Sequence, residues 1–409
     1  MVKIGVSKFF LDSGERYCIV INKETGIPLY YPNLYLTTQF RNRAYSVSSI
    51  ESIAINISLF YRFIENRNIS IEECFLSKKY LSGADIDRLA IFLSEKSYLK
   101  KNKNIKNINV SKKTLYIRLN NIADYLSWLA EEFLQYTFSK YEECFSKMIK
   151  NIKGRRPKCK NKKHDRTNEG ETLSDEAVEM IMRAINPLSP SNPFEYYVRK
   201  RNEILIIILL ELGIRCGELL NIKIEDINFQ RKRLFIKRRA DEKSDPRLNQ
   251  PLVKTHGRAL ALSDGLAYKL LDYIVYDRKL YVTGETDYLF ISYKSGPYQG
   301  SPLTIFGYQK IISKIRLSNP LFNKLRGHQF RHIWNYNFSK LMDSQHEKVS
   351  ETEQEQIRNE TMGWDPDSET GAIYNKRYIR EKTDEASIRL QEKLFSRYME
   401  KGNDKRNKP

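Results

Sequence analysis

Cysteine is scarce in this sequence, and long apolar runs are missing. The five cysteines are an odd number, widely scattered, and no two of them have CxxC spacing. The sequence therefore predicts neither a disulfide framework nor a cysteine-based zinc site, and a reducing, intracellular compartment fits best. The longest apolar run, Ile204 to Leu210, has seven residues, whereas a membrane-spanning helix needs about 18. We therefore expect no membrane-spanning segment, and Met1 to Gly14 lacks the apolar core of a signal peptide.

Positive charge is what the sequence has in excess. Its 409 residues include 70 Lys and Arg against 50 Asp and Glu, so the net charge is +20 and the isoelectric point is near 9.5. This excess favours a polyanionic partner, and nucleic acid before a membrane surface. A hydrophobic fraction of 41% suffices for packed cores. At about 150 residues per domain, the length predicts two or three domains.

The N-terminal part of the chain divides into two zones by hydrophobic pattern. Residues 1–43 hold two β-like runs, Arg16 to Ile21 and Ile27 to Tyr31, and predict an arm or a small β-hairpin. Residues 44–150 predict a helical domain, because apolar residues recur there at steps of three and four. The segments with this periodicity are Ser46 to Ile64, Ala84 to Lys96 and Ser111 to Phe133.

A basic linker, residues 151–172, follows this helical zone. Asn151 to Arg166 carries eight Lys or Arg and a single Asp. A stretch with so few apolar residues is not expected to pack. It is either a solvated spacer or a segment that follows the phosphates of DNA between two DNA-binding domains.

The last zone, residues 173–409, predicts a second domain that is mainly α-helical with a small antiparallel β-sheet. Ser174 is a good N-cap for its first helix. Arg201 to Leu212 is apolar on nearly all sides, which predicts a buried central helix. Arg233 to Arg238 and Leu252 to Leu262 predict the strands of the sheet. The fold class is therefore mainly α throughout, with a little antiparallel sheet.

Two stretches of this zone hold charged residues where simple packing would not put them. The first, Gly213 to Leu220, sets Arg215 at a glycine-bounded turn directly after the buried helix, with Glu218 three residues on. An arginine there needs an anionic partner, so the pair is either structural or part of a site for an anion. The second stretch puts His328 and Arg331 on one face of a helix. An arginine binds a phosphate well and a histidine can transfer a proton near pH 7, so the pair suits a reaction at a phosphate.

A metal site at this second stretch is not indicated. His328 and His332 are four residues apart, but no Glu lies between them in HExxH order and no Cys is near. A third stretch, Glu360 to Tyr378, contains Met-Gly-Trp at 362–364 followed by a loop and two tyrosines. One tyrosine among 26 means little by itself, and it gains weight only from its position after this motif.

In chain order, these stretches resemble the tyrosine recombinase family, of the phage-integrase type. The resemblance covers about Leu173 to Lys401, the catalytic domain of the family. It rests on GIRCGELL at 213–220, KTHGRALAL at 254–262, HxxRH at 328–332, and MGW with a downstream tyrosine. The helical residues 44–150 resemble the core DNA-binding domain of the family by helix pattern and position alone. Residue by residue, the resemblance implies six catalytic positions: Arg215, Lys254, His328, Arg331, Trp364 and Tyr374.

The resemblance also implies supporting roles and one ambiguity. Glu218 matches the acidic residue that follows the first arginine of the family. Tyr374, ten residues after Trp364, is the expected nucleophile, although the family more often has about nine. Tyr378, one helical turn further, is the alternative nucleophile. No cofactor and no metal is implied.

The implied function is that of a site-specific recombinase or integrase of a mobile genetic element, which cuts and rejoins double-stranded DNA through a 3′-phosphotyrosyl intermediate. The expected assembly is a cytoplasmic homotetramer on DNA, with room for accessory DNA-bending proteins. The alternatives are a nicking enzyme like the type IB topoisomerases and a non-catalytic DNA-binding protein on the same fold. A C-terminal helix, Glu385 to Met399, either packs against a neighbouring protomer or lies on its own domain.

Overall fold

The computed structural model describes residues 4–96, 109–134, 142–158, 173–345, 349–365, 368, 371 and 376–404. The chain forms two compact units, residues 1–166 and residues 167–409. Most of the described residues are helical, and each unit adds one small antiparallel sheet. The prediction of a mainly helical fold with a little antiparallel sheet is therefore confirmed.

The first unit joins a β-hairpin to a set of helices. The hairpin pairs β1 (Ile4–Phe10) with β2 (Arg16–Asn22), with Val6 opposite Val20. Six helices follow: α1 (Tyr30–Gln39), α2 (Val47–Glu65), α3 (Ile71–Leu76), α4 (Gly83–Ser94), α5 (Lys112–Leu134) and α6 (Glu142–Gly154). The three helices expected from the periodicity of residues 44–150 correspond to α2, α4 and α5.

The hairpin belongs to the core of the first unit. Cys18 and Val20 of β2 are fully buried together with Ile57 and Phe60 of α2. The extended pairing of β2 is with β1, which the sequence did not predict. The run Ile27 to Tyr31 also contacts β2, through an isolated antiparallel bridge between Pro28 and Ile21 and a 2.9 Å hydrogen bond from the N–H of Leu29 to the carbonyl of Val20. It then enters α1, whose first turn contains Pro32, a position where proline is tolerated because a helix leaves its first backbone N–H groups unused.

Two other expectations for this unit are refined by the structure. The helix α2 has the length and apolar composition of a membrane span, but ten of its residues are buried in the unit's core. The predicted linker begins inside α6, where Ile152 is fully buried and Arg155 donates a 2.8 Å hydrogen bond to Asp87. Helical structure thus extends into the basic segment, and residues 159–172 lie outside the described part of the chain.

The second unit surrounds one buried helix. Ser174 caps α7 (Asp175–Ile185) by accepting from the N–H of Ala177, as predicted. The central helix α8 (Arg199–Leu212) buries nine of its residues, Ile204 to Leu209 among them, and confirms the expected buried helix. The other α-helices and the strands described in this unit are α9 (Cys216–Leu220), β3 (Ile227–Asn228), β4 (Arg233–Ile236), β5 (Arg258–Ala261), α10 (Asp264–Asp272), α11 (Ile305–Ser318), α12 (Gln329–Ser344), α13 (Glu351–Met362) and α14 (Lys376–Asp404).

The three strands form a sheet in the order β3-β4-β5, antiparallel throughout, with Leu234 opposite Leu260. The second predicted strand, Leu252 to Leu262, is shorter than expected and begins only at Arg258. Residues 237–257 therefore form a long connection between β4 and β5, and Lys254 lies in that connection.

The burial of β2 generates a test of its place in the core. Val20→Ala should destabilise the first unit by about 2 kcal/mol, because two buried methyl groups are lost. Ile27→Ala is the matched control: Ile27 is 63% exposed, so the change should stay within about 0.5 kcal/mol. Urea unfolding followed by hydrogen exchange in peptides from residues 4–65 measures both. Equal effects of the two substitutions would mean that the hairpin is a solvent-exposed arm.

Candidate active site

The turn that carries Arg215 is fixed by a glycine and by a carboxylate. The central helix α8 ends at Gly213, which has φ of 60°; a Cβ there would come within 2.7 Å of the ring of Trp334. Arg215 then caps α9, with its backbone N–H donating to Glu218 Oε2 at 3.1 Å. Its Nη1 lies 3.5 Å from Glu218 Oε1, and its side chain is 26% exposed. Arg215 is thus held at its base and still reaches the surface.

Glu218 is buried among donors from three segments. Besides Arg215, its carboxylate accepts from Thr255 Oγ1 at 2.6 Å and from Arg258 Nη2 at 2.9 Å. Burial raises the pKa of Glu218, but the charge of Arg258 and the hydrogen bonds from Arg258 and Thr255 outweigh it, so the pKa is lowered overall. The group is therefore a carboxylate at neutral pH, and it balances the surrounding cations.

The connection that carries Lys254 packs against this turn. Gly217 lies so close to the backbone of Leu252 that no side chain fits between them. Thr255 is buried and bonded to Glu218, and the backbone N–H of His256 donates to the carbonyl of Gly363 at 3.1 Å. Lys254 itself is exposed. Its backbone is anchored on both sides while its ammonium group reaches solvent.

Helix α12 brings His328 and Arg331 to the same place. Arg331 is 1% exposed. Its Nη1 donates to the carbonyl of Gly213 and its Nη2 to the carbonyl of Met362, both at 2.9 Å. One guanidinium therefore ties the end of α8 to the end of α13. Trp364 is also buried, with its ring centroid 5.0 Å from this guanidinium.

His328 stands at the N-cap of α12. The residue as a whole remains open to solvent, but partial burial of its imidazole lowers its pKa to about 4, and the charges of His332, Arg331 and Arg215 contribute. The same charges indicate that His328 lies near both arginines. At neutral pH this imidazole is uncharged, and it can accept a proton.

Of the two tyrosine candidates, Tyr374 lies outside the described residues. Tyr378 lies on α14, with its ring 6.4 Å from that of Tyr336. Burial and the neighbouring carboxylates, Asp343 foremost, raise the pKa of Tyr378. The structure thus brings Arg215, Glu218, His328, Arg331 and Trp364 together, puts the Lys254 segment beside them, and leaves Tyr378 among acidic groups on α12 and α14.

The sequence interpretation missed Arg258 and Thr255. The side chain of Arg258 is 2% exposed and donates to Glu218, to Thr255 Oγ1 and to the carbonyl of Thr361. A signal existed: in the alternating strand β5, Arg258 shares the inward face with Leu260. A buried cation at an inward strand position requires a partner, and that requirement could have pointed to Glu218.

Within the described part of the chain, no group of three or more His, Cys, Asp and Glu side chains lies close enough together to hold a metal ion. The charged groups that do gather here are arginines around one carboxylate, an arrangement suited to a phosphate.

Comparison with known proteins gives the class of this chain. The model of the phage integrase family matches residues 171–378. Transposase A from transposon Tn554 of Staphylococcus aureus is 24% identical over 309 residues, which are 73% of this chain and 76% of the transposase.

Two solved structures share the fold. The site-specific recombinase XerH, in a post-cleavage complex with its palindromic difH substrate, has a TM-score of 0.51 at 19% identity, covering 86% of this chain and 84% of that one. The Tn1549 transposon integrase, in complex with transposon right end DNA, has a TM-score of 0.51 at 14% identity, covering 89% and 99%.

The family model matches just over half of the chain, and the fold is shared with these recombinases. The chain is therefore a tyrosine recombinase. The chain belongs to the phage integrase family, and it is a site-specific DNA recombinase of the integrase type.

The lowered pKa of His328 gives a direct test. At pH 6 an ordinary histidine, with pKa about 6.5, is about three-quarters protonated, whereas His328 is expected to be almost entirely neutral. NMR titration of the labelled imidazoles in the DNA-free protein measures this, with His328→Gln to assign the signal. Arg215→Ala should raise the pKa, because one neighbouring positive charge is removed. A His328 signal that titrates near pH 6.5 would contradict the arrangement.

Proposed function

We propose that this recombinase acts on double-stranded DNA with five described residues arranged around the reacting phosphate: Arg215, Lys254, His328, Arg331 and Trp364. The observation that carries the proposal is the double hydrogen bond of Arg331 to the carbonyls of Gly213 and Met362. Through it, three motifs far apart in the chain meet at one point. The net charge of +20 supplies the attraction to the DNA backbone.

The two arginines would hold the non-bridging oxygens of the phosphate. A guanidinium offers planar, paired donors that match a phosphate, which an ammonium does not. Arg331 is held at the centre of the site, where its two η nitrogens donate to two backbone carbonyls. Arg215 reaches the surface directly. By analogy with other donors that stabilise a developing negative charge, the loss of one clamp costs about 10²–10³ in rate.

The proton transfers would be divided between His328 and Lys254. The tyrosine oxygen attacks phosphorus and gives up its proton, which neutral His328 can accept. The bond between phosphorus and the 5′ oxygen breaks as a new phosphotyrosyl bond forms. The leaving oxygen is about as basic as hydroxide, whose parent water has a pKa of about 15.7, so it needs the proton that Lys254 can donate. Rejoining runs the same steps backwards, and the phosphotyrosyl bond conserves the energy of the broken one.

We propose Tyr374 as the nucleophile. Tyr378 is disfavoured by its surroundings, because carboxylates that raise its pKa also oppose the phenolate needed for attack.

The test of the nucleophile compares two conservative substitutions. Tyr374→Phe should abolish covalent attachment to a nicked suicide substrate and leave specific DNA binding intact, because only the phenolic oxygen is removed. Tyr378→Phe, the matched control, should keep at least part of the activity. Peptide mapping of the trapped adduct identifies the attached residue. An adduct on Tyr378 would overturn the assignment, and an adduct on a serine would overturn the mechanism.

The domains and assembly follow from the same proposal. Residues 44–150 would be the core DNA-binding domain, residues 151–172 the basic linker that follows it in the sequence, and residues 173–409 the catalytic domain. We propose a homotetramer on DNA in the cytoplasm, serving a mobile element like the transposons of its relatives, with room for DNA-bending accessory proteins. The topoisomerase-like and non-catalytic alternatives have no observation in their favour.

The C-terminal helix supports an assembly of several protomers. Near its start, α14 is bound to α12: Tyr336 donates to Glu381 at 2.6 Å and Lys382 lies 2.9 Å from Asp343. Residues 383–393 are exposed, with Ile388 at 54% and Leu390 at 60%. This part of the helix thus offers apolar side chains to a neighbouring protomer.

Truncation after Lys382 tests this role. The catalytic unit should keep its melting temperature, because the bonds of Glu381 and Lys382 to α12 remain. Assembly of several protomers on DNA, measured by analytical ultracentrifugation, should be lost, because a neighbour no longer receives the helix. Removal of residues 405–409 is the control and should preserve assembly. A large fall in melting temperature after the longer truncation would assign the helix to its own domain.

A further inference from the structure

Arg258 connects three parts of the candidate active site without belonging to the set that faces the phosphate. Its Nη2 donates to Glu218 Oε2 at 2.9 Å, its Nη1 to Thr255 Oγ1 at 3.2 Å, and its Nε to the carbonyl of Thr361 at 2.6 Å. The side chain is 2% exposed, so the guanidinium is committed to these partners. The three bonds lead to three different elements of the second unit.

Each partner of Arg258 leads to a residue of the proposed mechanism. Thr255 is the neighbour of Lys254 in the chain, and its hydroxyl also donates to Glu218. Glu218 in turn holds the base of Arg215. Thr361 lies in the last turn of α13, two residues before Gly363, where a Cβ would come within 2.8 Å of Arg258 Nη1. Because Gly363 packs this closely against Arg258, the position of Arg258 determines where the chain turns toward Trp364.

We propose that Arg258 is a positioning residue, which sets the backbone of Lys254 against the Arg215 turn so that the Lys254 ammonium reaches the leaving 5′ oxygen. This inference rests on the proposed function of Lys254 as the proton donor. Lysine has a long, flexible side chain, and Lys254 is exposed. Its reach is therefore decided by where its backbone is held, and the hydroxyl of Thr255 next to it is held by Arg258 and Glu218.

The geometry favours arginine over lysine at position 258. The three acceptors lie in three directions, on a side chain, on a carboxylate and on a backbone carbonyl, and a planar guanidinium can address all of them at once. The ammonium group of a lysine would keep only one or two of these three hydrogen bonds. Arg258→Lys should therefore retain a buried positive charge beside Glu218 but lose the hydrogen bond to Thr255, the hydrogen bond to the carbonyl of Thr361, or both.

A change of leaving group separates positioning of the proton donor from general stability. In a substrate with a 5′-bridging phosphorothiolate, the tyrosine oxygen bonds to phosphorus while the phosphorus–sulfur bond breaks, and the sulfur leaves as a thiolate. Thiols have a pKa of about 8.5, so this thiolate needs no proton from the protein. A defect in proton donation should therefore disappear with sulfur, whereas a defect in folding, DNA binding or the arginine clamp should persist.

The experiment measures single-turnover cleavage of matched oxygen and sulfur substrates by the full chain. Lys254→Ala should be severely slowed with oxygen and largely restored with sulfur. Arg258→Lys should be slowed with oxygen by about tenfold to a hundredfold, the size of effect expected from a misplaced group, and should also be restored with sulfur. DNA affinity, measured in parallel, should stay within about threefold of the wild type, because Arg258 is one buried residue among many surface cations.

Arg278→Lys is the matched control. Arg278 is another buried arginine of the second unit, 5% exposed, and it donates to the carbonyls of Tyr288 and Thr286. Like Arg258, it is a buried guanidinium that donates to backbone carbonyls, but its hydrogen bonds do not involve Glu218 or Thr255. Its replacement should lower the melting temperature without a cleavage defect that sulfur selectively restores.

The outcomes distinguish this inference from the proposed function. If Arg258→Lys is equally slow with both substrates, or is no slower than the control, Arg258 is structural and the inference is wrong. If Lys254→Ala is not restored by sulfur, Lys254 is not the proton donor and the inference is wrong with it. If the wild type forms no covalent complex with either substrate, the proposed function itself fails. Should Arg258→Lys not fold, Thr255→Val takes its place, with a smaller defect and the same restoration expected.

Discussion

The buried carboxylate of Glu218 allows three arginines of this site to lie close together. Arg215, Arg258 and Arg331 would repel one another, and each would be costly to hold away from water without an opposite charge. Glu218 faces all three: it pairs with Arg215 and Arg258, and the charge of Arg331 contributes to its lowered pKa. Glu218 therefore balances part of the positive charge that these three arginines concentrate in one place.

Three glycines allow the segments that carry these residues to approach one another closely. Gly213, Gly217 and Gly363 stand where backbone or side chains from another element occupy the space of a Cβ. Gly213 and Gly363 also adopt positive φ angles, a conformation that glycine takes at low cost. These positions let the ends of α8 and α13 come within reach of the single guanidinium of Arg331. The close contacts that pack the second unit therefore also position the residues of the site.

The arginines of the site differ in their exposure. Arg258 and Arg331 are enclosed, and Arg331 donates to two backbone carbonyls, while Arg215 remains partly exposed. Partial burial is the main reason that His328 is neutral at pH 7, and the charges of its cationic neighbours contribute.

The sequence by itself determined the local features: the N-cap at Ser174, the apolar α8, the periodic helices α2, α4 and α5, and motifs whose order resembles the family. Local rules suffice there, because each depends on residues within a few positions of one another. Only the tertiary structure decided the partner of β2, the extension of α6 into the basic segment, the enclosure of Arg258 by Glu218 and Thr361, and the acidic surroundings of Tyr378. Those features depend on pairs of residues far apart in the chain, whose meeting is fixed by packing of whole elements and leaves little trace in spacing.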